Sequence, residues 1–163
     1  MNKVSLIILT AMSLCSCSNK TEKNTAMKNT NTVELISPEE LHKNPAFSQV
    51  AVASGNCKTV YVGGQNAVDK EGNIVGKGNI EEQTKQILTN LQIALKAGGA
   101  GFEHIIKWNV YILKGESTEK ALKAFQEPMK KLKAPPLITG IFVESLAHPD
   151  YLLEIDAIAI VPE

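Results

Sequence analysis

The segment Tyr151-Leu-Leu-Glu-Ile-Asp-Ala-Ile-Ala-Ile-Val161 reads as a strand for the interior of a sheet, yet it sets a carboxylate, Glu154, among residues suited to a core. Taking an ionised carboxylate out of water is costly unless a partner compensates it. Where such a group occurs, it is often kept for chemistry or for a specific partner. An absence constrains the chain just as much. All 17 Lys+Arg residues are lysines, so no planar guanidinium exists to grip a carboxylate with two parallel hydrogen bonds.

Upstream of that strand the element signals alternate. Phe47–Ala53 and Thr59–Gln65 read as strands joined by the turn Ser54–Lys58, which predicts a β-hairpin. Val68–Asn73 is a polar loop. Asn79 is a good N-cap, with Glu81 and Glu82 in the first turn where the helix dipole favours them. Ile80, Thr84, Ile87, Leu88, Leu91 and Leu95 then recur at helical spacing as one buried stripe, and Gly98-Gly99 ends the helix. Ile105–Leu113 is a β-branched and aromatic strand with Trp108, Val110 and Ile112 on one face. Ser117 opens a second helix that runs to Lys130, Lys131 and Lys133, with Pro128 placed to kink or shorten it. Leu137–Glu144 and Leu152–Val161 complete the order β-β-α-β-α-β-β. The expectation is an α+β fold, a mixed sheet with two helices on one face. The other face would be exposed and apolar, carrying residues such as Trp108 or Tyr111. A large uncovered apolar face usually marks an assembly surface, so a homo-oligomer is expected.

Residues 1–16 have the pattern of a bacterial lipoprotein signal. Lys3 precedes a mostly apolar run, Val4–Met12, too short to span a bilayer. Leu14-Cys15-Ser16-Cys17 then resembles the box in which the last cysteine, Cys17, receives the lipid; an ordinary secretory signal is the alternative. Residues 17–32 are the lipidated cysteine and a polar tether too poor in apolar groups to fold. Residues 33–163 form the domain. This predicts a protein held to the bacterial cell envelope through a lipid anchor. Without residues 1–16 the chain keeps 16 lysines against 17 acids, a net charge near −1, so no basic field attracts nucleic acid. Cys57 is then the one remaining thiol and reads as a tolerated turn residue. His42, His104 and His148 are scattered singly and read as solvated or capping residues; neither a metal site nor a cofactor is expected.

Four segments line up together: Phe47-Ser-Gln49, Val62-Gly-Gly-Gln65, Ile106-Lys-Trp-Asn-Val-Tyr111, and Pro135-Pro136 followed by Glu154-Ile-Asp-Ala-Ile158. In this order and spacing the chain resembles the RidA (YjgF) family of reactive-intermediate deaminases over residues 45–162. The resemblance implies a chorismate-mutase-like fold assembled as a homotrimer, whose sheets form an inner barrel and whose clefts between subunits bind a small molecule. Deaminating members hydrolyse 2-enamines and 2-imines to 2-oxo acids and ammonia. It implies that Glu154 is the catalytic carboxylate, with Phe47, Gly63, Gly64, Gln65, Ile138 and Thr139 at the substrate. The chain departs from that pattern in three places. The family's tyrosine becomes Phe47, its serine becomes Gly63, and its carboxylate-binding arginine becomes Ile138. The expected activity is therefore hydrolysis of imine or enamine-type nitrogen compounds that do not need the arginine. A non-catalytic binding or protein-protecting module is the alternative. Glu154 itself reads equally as a strand-end carboxylate held by a neighbouring subunit.

Overall fold

The helical stripe expected from the sequence is the floor of the core. In a computed structural model that describes residues 31–132 and 134–163, α1 spans Ile80–Ala97, and Ile80, Thr84, Ile87, Leu88, Leu91 and Leu95 are all buried. Asn79 caps it by accepting hydrogen bonds from the Glu81 and Glu82 N–H groups, as its position predicts. Gly98 follows, and Gly99 adopts a φ of 72°, the left-handed turn that frees the chain from the helix.

Six strands accompany the helices: β1 Thr32–Ile36, β2 Val50–Ser54, β3 Cys57–Gln65, β4 Ile105–Leu113, β5 Leu137–Val143 and β6 Leu153–Pro162. The second helix, α2, spans Thr118–Met129. The main sheet has the order β3-β6-β4-β5. Only β4 and β5 run parallel, and α2 supplies the crossover that a parallel pair needs. Strand β6, the Glu154 strand, is central and antiparallel to both neighbours. The mixed sheet with two helices on one face is the architecture expected.

Four details differ from expectation. Strand β1 was not foreseen: Thr32-Val-Glu-Leu-Ile36 pairs with β2, so ordered chain begins inside the stretch read as tether. The hairpin of the two strands after Phe47 does not form; β2 pairs with β1 and β3 with β6. Of the two residues between β2 and β3, Gly55 has a positive φ of 82°. Asn56 is drawn elsewhere, its N–H donating to Asn31 Oδ1 at 2.8 Å and its carbonyl accepting the Glu163 N–H at 3.0 Å. Helix α2 stops at Met129, one residue after Pro128, so Lys130 and Lys131 lie beyond it; Lys133 is outside the described residues. The fourth difference is Trp108, which is 1% exposed and packs on Phe125 of α2 with ring centroids 5.0 Å apart. It belongs to the helix-covered face, while Tyr111 lies on the open one. That open face does carry exposed apolar groups, Tyr61 and Ile141 among them.

A buried helix side chain fixes the entry to β6. Gln83 is fully buried; its Nε2 donates to the Asp150 carbonyl at 2.7 Å and its Oε1 accepts the Leu152 N–H at 2.9 Å. Polar side chains are kept in cores when every group is satisfied in this way.

Candidate functional site

Strand parity decides where each expected site residue falls. Along β6 the side chains of Leu153, Ile155, Ala157 and Ala159 enter the core, so Glu154, Asp156 and Ile158 project from the open face. Glu154 is half-buried there, opposite Tyr111 of β4. Its Oε2 accepts a hydrogen bond from Asn66 Nδ2 at 3.2 Å, and the same amide approaches the Leu153 carbonyl at 3.4 Å. Asn66 is fixed in turn by α1, because Asn90 Nδ2 donates to the Asn66 and Val68 carbonyls at 3.0 and 2.9 Å. No cation among the described residues pairs with Glu154.

The two glycines expected at the site are not equivalent. A Cβ built on Gly64 would collide with the Glu154 carboxyl group, whereas a Cβ on Gly63 would meet nothing within 4 Å. Gly64 is therefore fitted to the carboxylate, in the irregularity where the β3–β6 register shifts between Val62 and Gln65. Gly63 merely leaves space, enough to hold a serine. Gln65 turns back, its Nε2 donating to the Gly63 carbonyl at 3.1 Å.

Phe47, Ile138 and Thr139 sit apart from this cluster. Ser48 ties the Phe47 segment to the start of β5, its N–H donating to the Pro136 carbonyl at 3.1 Å and its hydroxyl to the Pro135 carbonyl at 2.7 Å. Ile138 pairs with Trp108 and so faces α2, where it lines a cavity of about 370 Å³. Thr139 faces the other way, opposite Asn109 on the open face. Within one chain the structure brings together Glu154, Gly64, Gln65 and Asn66, and it sets Ile138 on the opposite face of the sheet.

Next to Glu154 lies a polar row. Asn109 Nδ2 donates to Asp156 Oδ1 at 2.7 Å, and the Tyr111 hydroxyl donates to Asp156 Oδ2 at 3.4 Å. The negative charge of Asp156, with some loss of solvation, that hydrogen bond and the Glu154 charge, pushes the Tyr111 phenol above its usual value. Its neutral form stays a donor. Asn66, Asn90, Asn109 and Asp156 were not foreseen as site residues; only the polar breaks they make in apolar segments could have flagged them. Two of the three histidines behave as capping residues, His104 Nδ1 accepting the Gly101 N–H at 3.0 Å and His148 Nδ1 the Asp150 N–H at 3.1 Å. Cys57 begins β3 instead of occupying a turn, and its thiol lies 3.4 Å from the Ser54 carbonyl. Among the described residues no group of three His, Cys, Asp or Glu could hold a metal.

A family model described as Endoribonuclease L-PSP matches residues 37–161. A RutC family protein of Synechocystis is 33% identical over 117 residues, covering 71% of this chain and 86% of its own. A 2-iminobutanoate/2-iminopropanoate deaminase of Rattus norvegicus is 34% identical over 67 residues, 41% of this chain and 47% of the rat protein. Among solved structures, a Rid family protein of unknown function from Yersinia pestis has 27% identity and a TM-score of 0.69, covering 79% of this chain and 98% of that one. TdcF of E. coli, solved with bound serine, has 26% identity and a TM-score of 0.57 over 63% of this chain and 80% of its own.

The contrast between the two glycines is testable. Gly64→Ala should push the Glu154 carboxyl aside and break its hydrogen bond from Asn66, costing roughly 0.5–1.5 kcal/mol, the net value of such a bond. Gly63→Ser should stay within about 0.5 kcal/mol of the parent, as surface changes do. Urea unfolding of both variants measures the difference, and equal costs would contradict the fit of Gly64 to Glu154.

Proposed function

Because the chain belongs to the Endoribonuclease L-PSP family, the Rid/YjgF family of the sequence resemblance, we propose that it binds a small metabolite in clefts between subunits of a homotrimer and hydrolyses an imine or enamine-type nitrogen compound there. The observation that carries this reading is the state of Glu154. Its Oε2 is held by Asn66 while Oε1 lies against Gly64, where no side chain covers it. A carboxylate so placed is a general base. It takes a proton from water as the oxygen attacks the C=N carbon, the nitrogen gains a proton, and the resulting carbinolamine collapses to carbonyl and amine.

The rat relative's name and the serine bound to TdcF favour small amino-acid-derived ligands for those proteins. This chain's substrate differs in one respect. Without any arginine, and with Ile138 where the resemblance places it, a substrate carboxylate has no bidentate partner. The alternative reading is a binding module without turnover that uses the same clefts. Glu154 discriminates the two, since a hydrolase needs its charge and a binder of neutral ligands does not. Nucleic acid is an unsuitable ligand for a chain with balanced charge and no arginine.

The trimer is inferred from the open face with its exposed Tyr61 and Ile141 and from the family. Anchoring is inferred from the sequence before residue 31, outside the described residues; among those described, no helix is long and apolar enough to cross a membrane. We place the protein at the bacterial cell envelope through a lipid on Cys17.

Standard deaminase activity is expected to be weak. Losing a charge-assisted partner costs roughly 1.5–3 kcal/mol, about tenfold to a hundredfold in binding. Hydrolysis of 2-iminopropanoate, followed by semicarbazide trapping, should barely exceed the uncatalysed rate, whereas an imine without a carboxylate should be turned over and lose that turnover in Glu154→Gln. Fast 2-iminopropanoate hydrolysis abolished by Glu154→Gln would show that the arginine is dispensable. Analytical ultracentrifugation should find a trimer, and a folded monomer at micromolar concentration would remove the inter-subunit cleft. Cys17→Ser should give an uncleaved precursor that takes up no radioactive fatty acid; normal labelling would refute the anchor.

A further inference from the structure

The cavity beneath α2 has a chemistry of its own. Trp108, Leu122, Phe125, Met129, Ile138 and Gly140 contribute to its walls, and among the described residues no charged side chain lines it. Its volume of about 370 Å³ falls in the range of small-molecule sites, which are concave, mostly apolar and supplied with few polar groups. The polar side chains at its walls are Thr118 and Gln126, whose hydroxyl and amide groups can donate to a neutral acceptor.

We propose that this cavity binds a small, uncharged, apolar or aromatic molecule carrying a neutral acceptor, such as a ketone or imine nitrogen, in place of a carboxylate-bearing ligand. The proposal rests on the reading that the chain binds a small molecule at a site including position 138, and it names that ligand's class. An anion here would be stripped of water with no cation to meet it, which is strongly unfavourable. A neutral aromatic group loses nothing comparable and gains the burial of its apolar surface. The size of the cavity suits one ring with a short substituent better than a helix or strand of a partner.

Gly140 provides a clean test. It lines the cavity, its φ is not positive, and a Cβ built on it meets nothing within 4 Å, so Gly140→Leu extends into the empty space without a clash in the strand. The full-length chain in nonionic detergent, against a matched detergent blank, can be titrated by fluorine NMR with 4-fluoroacetophenone and with 4-fluorobenzoate. These probes are similar in shape and differ in charge. The parent protein should bind the ketone on the order of tenfold tighter or more, equivalent to at least about 1.4 kcal/mol. Gly140→Leu should lose binding of the ketone while keeping the circular dichroism and Trp108 fluorescence of a folded chain. Ile138→Arg should reverse the preference between the two probes. Ketone binding by the parent protein without turnover of any neutral imine would count against the hydrolase reading alone. Equal affinities, tighter benzoate binding, or a Gly140→Leu variant that binds like the parent would overturn the proposal. So would the absence of ketone binding in an intact oligomer, which would mean that a second copy of the chain fills the cavity.

Discussion

The carboxamide of Gln83 holds the register on which the rest depends. It is buried on α1 and clamps the backbone on both sides of Tyr151, through the Asp150 carbonyl and the Leu152 N–H. Strand β6 begins immediately afterwards and lies between β3 and β4. Side chains alternate along a strand, so a slip of one residue would bury Glu154 and Asp156 and expose Ile155 and Ala157. The hydrogen bonds to Gln83 oppose that slip from outside the sheet. They join the helix that carries the main apolar stripe to the strand that carries the carboxylate.

The same parity divides the chemistry of the molecule. On the open face, Glu154, Asp156, Asn109 and Tyr111 form a polar row in a surrounding of Tyr61, Ile158 and Ile141. Across the sheet, the position where the family resemblance places an arginine holds isoleucine and lines an apolar cavity. A side chain at 138 and one at 154 cannot meet in one chain, whatever their rotamers, because the sheet lies between them. A cleft that uses both must take them from different copies. Even then its two walls differ sharply, one acidic and hydrogen-bonding, the other uncharged.

Much of this was legible in the sequence. The α1 stripe was readable because 3.6-residue periodicity survives in a helix buried on one side. Strands β4 and β6 were readable because β-branched runs of their length have few other uses. Glu154 stood out because it is a carboxylate set in such a run. What escaped was long-range. The pairing of β1 with β2, and the meeting of Asn31, Asn56 and Glu163 beside it, join residues distant in sequence and leave no local pattern. Trp108 was assigned correctly to a face with Val110 and Ile112, but alternation alone does not say which face a helix covers. Asn66 and Asn90 carry no local signal, since their role appears only when the α1 amide reaches the Asn66 carbonyl beside Glu154.

The meeting of Asn31, Asn56 and Glu163 has a mechanical meaning. The Asn31 side-chain amide donates to the Glu163 carbonyl, and Asn56 Nδ2 donates to the Glu163 carboxylate at 3.2 Å, so both ends of the described domain leave it at one point. A pull along the N-terminal segment reaches this knot and divides there, along the backbone into β1 and through the Asn31 amide to the residue after β6. The share carried by Asn31 enters the main sheet at an interior strand, at the end far from Glu154. Chain ends held this close also make the backbone nearly a closed ring, a geometry in which the point of opening can be moved with little effect on the packing.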